Sequence, residues 1–117
     1  MSKAAKSVFL FAMYLFVLGA VLLFLPNFLL SSFNIPETKE VWIRVVGMLA
    51  ILIGFYYQHA ARNELTSFLR ATSYARCSVP LFFLAFIALG LAPPILLLFG
   101  GIDAAGGVWT AFCLKTK

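Results

Sequence analysis

Asp103 sits in the apolar stretch LFGGIDAAGGVW (98–109), where an acid is out of place. At helical spacing, its neighbours three and four residues away are Phe99, Gly100, Gly106 and Gly107. Three of those four are glycine, so another helix can approach closely there. The same small residues leave room beside the carboxylate for an arginine, a water or a ligand. The acid lies about 12 Å into its span at helical rise. An acid at such depth is costly and faces the bundle interior with a partner. Two chemistries follow. One is a structural ion pair at a tight helix crossing. The other is a site that binds a ligand or handles a proton.

Two arginines compete to be the partner. Arg44, Gly47, Ile51, Gly54 and Gln58 recur at spacings of 3, 4, 3 and 4, which is one helix face. That face carries a cation at one end, small residues in the middle and an amide at the other end. The small residues predict that Arg44 turns inward and pairs with Asp103; snorkelling to the headgroups is the alternative. Arg76 is the second candidate. Snorkelling is its default, and antiparallel helices put it nearer Thr110 than Asp103. Trp42 and Tyr57 suit the aromatic belts at the two membrane interfaces, or a stack on a flat ligand. His59 is the sole histidine, and neither Cys77 nor Cys113 lies near it, so no metal site is expected. Nor does any pattern supply a cofactor site.

These residues need elements to position them. Of the 117 residues, 63% are hydrophobic and 11% charged. A soluble domain carries about 25% charged residues, so this chain needs a bilayer as solvent. Its net charge of +5 therefore reads as membrane topology and not as nucleic-acid binding. Four apolar runs, at about 7–25, 41–57, 73–91 and 95–113, approach the ~20 residues that cross the hydrocarbon core as a helix. They lack the alternation of barrel strands. The fold class is an all-α integral membrane protein, one domain with four transmembrane helices. Lys3 and Lys6 precede the first run, as in a signal peptide. Its apolar core is too long for one and no A-x-A site follows, so a retained helix is expected.

Lys3, Lys6, Arg62, Arg70, Arg76, Lys115 and Lys117 fall at one end of this topology. The positive-inside rule then puts both termini in the cytoplasm, with a bacterial inner membrane as the location. Asn34, Pro36 and Glu37 signal a helix start near Pro36. Phe28, Leu29, Leu30 and Phe33 belong to the outer interface or form a lid over a pocket. In segment 59–76, Leu65, Phe68, Leu69 and Thr72 predict a short amphipathic helix on the inner surface. Pro80 predicts a kink, or a helix beginning near Ser78.

The length, the four spans, the WIRVVG opening of the second span (42–47) and the polar residue among glycines in the last resemble the DoxX-like group of small four-helix bacterial membrane proteins. That resemblance implies the same fold and allows an association with quinone-linked redox complexes. The four-helix sterol-isomerase-like group is a second comparison, resting on acids and aromatics in an intramembrane pocket. The expected function is non-enzymatic binding of a hydrophobic small molecule, lipid or quinone, or of partner helices in the bilayer, including a second copy. The rival is an intramembrane enzyme or redox-complex subunit built on Asp103 and Arg44.

Overall fold

A computed structural model describes residues 1–115, which leaves Lys117 of the orientation argument outside the described residues. Five helices occur among the described residues: α1 (Lys3–Phe24), α2 (Pro26–Ser32), α3 (Trp42–Arg62), α4 (Thr66–Ala88) and α5 (Leu96–Lys115). No strand occurs among the described residues. The four helices other than α2 are long and apolar enough to cross a membrane. The long axis measures 44 Å, close to the ~40–45 Å of a bilayer with its headgroups.

The helix ends explain where the boundaries fall. Ser2 caps α1 by accepting from the Ala5 N–H at 3.1 Å, so the helix takes in Lys3 and Lys6 ahead of the apolar run. Pro26 opens α2, where its missing N–H costs nothing. The helix expected at Pro36 begins instead at Trp42. Residues 35–40 hold no helix, and the Thr38 N–H donates to Asn27 Oδ1 at 2.9 Å, which ties that segment back to α2. The turn after α3 is closed by Leu65 N–H to Ala60 O at 3.0 Å and Glu64 N–H to Ala61 O at 3.3 Å, with Glu64 left-handed at φ 51. Gly90, at φ 74, performs the same closure after α4 without a side-chain penalty.

Two expectations about α4 are corrected. No separate amphipathic helix covers 59–76, and no helix begins near Ser78: α4 runs unbroken from Thr66 through Pro80 to Ala88. The amphipathic segment and the third span share one helix axis, so nothing stops the helix between them. α5 packs closely against Pro80 at Gly100, where an added Cβ would stand 3.1 Å from Pro80 Cα.

Packing runs in the order α3, α1, α5, α4. α1 and α3 cross most intimately. A Cβ on Gly19 would meet Gly47 O at 2.6 Å, and one on Gly47 would meet Gly19 O at 2.7 Å. The small-residue face of α3 is thus filled by α1. At the opposite end from α2, the Ser2 N–H donates to Glu64 Oε1 at 2.6 Å. That contact holds the start of α1 beside the α3–α4 turn, so Lys3, Lys6 and Arg62 share one end of the molecule, as the charge pattern anticipates. A core of Ala4, Ala5, Val8, Ala60, Ala61, Leu69 and Cys113 closes this end. Many large side chains elsewhere point outward, such as Val17, Phe55, Leu81 and Phe112. Outward-facing apolar side chains of this kind suit contact with lipid tails.

Candidate functional site

Arg76 is the most deeply buried charge among the described residues, at 2% exposure. Snorkelling, its expected state, does not occur. The space for it is made by small residues on α5: a Cβ on Gly106 would lie 3.0 Å from Arg76 Nη1, and one on Gly107 would lie 3.2 Å from Arg76 Cβ. A main-chain carbonyl and two hydroxyls then satisfy part of the guanidinium. Nε donates to Thr72 O at 3.2 Å. Nη2 donates to Thr72 Oγ1 at 3.2 Å and to Thr110 Oγ1 at 2.8 Å. The network continues into α1, because Thr110 Oγ1 lies 2.6 Å from Ser7 Oγ. Ser7 spends its own proton on Ala4 O at 2.7 Å, so Thr110 is the donor between the two. Ser73 Oγ adds a bond to Gly107 O at 2.8 Å.

Aromatic rings cover the cation. Its Cζ lies 4.8 Å from the Phe11 ring centroid and 5.8 Å from that of Tyr57. Both distances suit a cation–π attraction, which is worth more away from water. One atom is left over. Arg76 Nη1 is buried and has no hydrogen-bond partner.

Asp103 stands at the junction of two cavities. The first, about 180 Å³, lies where α1, α3, α4 and α5 converge, and its lining includes Phe11, Tyr57, Arg76 and Asp103. We call it the polar cavity. The second, about 270 Å³, lies toward α2 and is lined by Leu18 of α1, Leu29 and Leu30 of α2, Phe83 of α4 and Phe99 of α5, with Asp103 again at its edge. In this apolar cavity Asp103 and Tyr14 are the lining residues that bring a polar group. Leu29, Leu30 and Phe33 line it, whereas Phe28 is exposed. Asp103 and Arg76 share the polar cavity without an ion pair within 4.0 Å.

The expected Arg44–Asp103 pair is not formed. Arg44 is exposed, and its Nη1 donates to the carbonyl of Leu23. That carbonyl is one of the last in α1, which Pro26 prevents from continuing, so Arg44 acts as a C-terminal cap. The expected inward turn of Arg44 does not occur: Gly47 and Gly54 of its face are buried, but they meet α1 and not α5. Trp42 is exposed, Gln58 is half-buried, and neither lines the two cavities. Tyr57 is drawn inward from its belt position and stacks edge-on against Phe68, with centroids 6.2 Å apart. Sequence reasoning missed Ser7, Ser73 and Tyr14 as site residues, and gave Thr72 and Thr110 no role of their own. All five carry hydroxyls within apolar helices, where a buried hydroxyl needs a hydrogen-bond partner; that need was the signal.

Among the described residues, no group of three or more His, Cys, Asp or Glu gathers as a metal site. No family model, curated protein or solved structure matches the chain.

Proposed function

We propose that this chain is a small integral membrane protein that binds a hydrophobic small molecule, a lipid or a quinone, within the bilayer. The observation that carries this reading is the apolar cavity of about 270 Å³ beside α2, bordered by Leu29, Leu30 and Phe33 and polar only at Asp103 and Tyr14. A mostly apolar hollow with few polar groups is the usual form of a small-molecule site. The DoxX-like resemblance adds a quinone-linked role as one version of the same reading. Mild extraction followed by native mass spectrometry is expected to show a retained adduct of lipid mass. Leu18→Trp, which fills the cavity, is expected to remove the adduct while the protein stays folded. An adduct retained equally by both proteins would overturn the reading.

A second reading has its own support. Asp103, Arg76 and Tyr57 line one cavity, which is the minimum an intramembrane enzyme or redox subunit would need. Arg76 takes the place Arg44 held in that proposal.

The orientation is part of the proposal. The basic end, with Lys3, Lys6, Arg62, Arg70 and Lys115, faces the cytoplasm of a bacterial inner membrane. In a variant lacking Cys77 and Cys113, a cysteine at Thr38 is expected to react with an impermeant maleimide from outside, and one at Ser67 is not. The reverse pattern would invert the topology.

A further inference from the structure

We infer that the ligand is an uncharged amphiphile with a hydroxyl head, held between Asp103 and Arg76 Nη1 with its apolar tail under α2. This rests on the small-molecule reading and narrows it to a ligand chemistry. The guanidinium fork is split along α5. Nη2 reaches Thr110. Nη1 lies beside Gly106, one helical turn from Asp103 and on the Asp103 side of Thr110. Nη1 has no hydrogen-bond partner although Arg76 is 2% exposed. A buried donor left unmade is costly, and Arg76 keeps its charge at any accessible pH. Asp103, as a carboxylate, balances that charge, yet no ion pair within 4.0 Å joins them.

The two groups dictate what fits between them. Nη1 can only donate, and a carboxylate can only accept. A hydroxyl oxygen accepts from the first and donates to the second. A ketone, ether or ester oxygen accepts from Nη1 but offers Asp103 nothing. A carboxylate or phosphate head satisfies Nη1 and meets Asp103 with like charge. An ammonium head suits Asp103 and is repelled by Arg76. The cavities also set the order of the molecule. Asp103 borders both, so a tail in the apolar cavity leads its head past the carboxylate toward Arg76. The polar cavity, about 180 Å³, is large enough for a compact head, since one of ~150 Å³ takes a benzene.

The test uses the full chain in phosphatidylcholine nanodiscs and three matched photoactivatable dodecyl probes. One is an alcohol, one its methyl ether and one the carboxylic acid. Crosslinks are mapped by peptide mass spectrometry. The alcohol is expected to label peptides carrying Leu18, Phe33 or Phe99 about tenfold more than either other probe, the scale of one hydrogen bond to a charged group. In Asp103→Asn the acid should rise to within about threefold of the alcohol, because the like charge is gone. Equal labelling by all three probes in the unmodified protein would overturn the hydroxyl head and leave the apolar-cavity reading standing. No cavity labelling by any probe would overturn both. Continued exclusion of the acid by Asp103→Asn would remove Asp103 from the recognition. The comparison in the unmodified protein decides the head chemistry whether or not the variant folds.

Discussion

Arg76→Ala is expected to destabilise the protein in mild detergent by about 3 kcal/mol or more, since hydrogen bonds from a charged donor are worth roughly 1.5–3 kcal/mol each. Three such bonds leave with the guanidinium, to Thr72 O, Thr72 Oγ1 and Thr110 Oγ1. The removed side chain also opens a void against Phe11 and Gly106. Arg76→Lys should fall between the two. It keeps the charge, but a single ammonium lacks the planar fork that spans Thr72 and Thr110. Arg44→Ala is the contrast. Its exposed side chain makes one bond, to the Leu23 carbonyl, so a loss of about 1 kcal/mol or less is expected. Thermal unfolding followed by circular dichroism measures all three. Pairing each arginine variant with Asp103→Asn sharpens the comparison. With Arg76→Ala the double variant should lose less than the sum, because both charges leave the polar cavity together. With Arg44→Ala the losses should add. Coupling of Asp103 to Arg44 and not to Arg76 would sink this account of the site.

The spans were legible because in lipid an apolar run of sufficient length is itself the element. Their ends were not. The start of α1 at Lys3 depends on the Ser2 cap, and the start of α4 at Thr66 depends on the turn at Glu64. Hydropathy sees neither. Pro80 looked like a boundary because it lacks an N–H and crowds the carbonyl of Arg76, yet α4 continues through it. The position of Asp103 at an interior space followed from its glycine neighbours, since small residues on one face announce a close approach or a hollow. The partner did not follow. The face of Arg44, Gly47 and Gly54 says that a helix backbone lies against it, without saying which, and α1 fits it through Gly19. Arg76 was hidden by a default. An arginine near a span's end usually snorkels, and its burial is decided by Ser7, Thr72 and Thr110, residues on three helices that no local pattern connects.

Gly19→Val and Gly47→Val are expected to cost about 3 kcal/mol each, at the upper end of what overpacking a tight core does. The reason is the α1–α3 crossing. A Cβ at Gly19 would stand 2.6 Å from Gly47 O and 3.0 Å from Ile51 N. A Cβ at Gly47 would stand 2.7 Å from both Gly19 O and Leu23 N. These obstacles are mostly backbone atoms, which cannot swing aside as a side-chain tip does, so the helices must separate. Separation also strains the bond from Arg44 to Leu23 O and opens the α1–α3 wall of the apolar cavity, to which Leu18 and Val46 contribute. Retention of the co-purified adduct should therefore fall along with the melting temperature. Gly101→Ala is the control. A Cβ there meets nothing within 4 Å, so a change within about 1 kcal/mol is expected, in either direction. Gly19→Ala combined with Gly47→Ala should cost less than the sum of the two, because helices already forced apart by one methyl have room for the second. Wild-type stability in Gly19→Ala would mean that the helices cross with more freedom than these distances allow, and strict additivity would mean that the two glycines do not face each other.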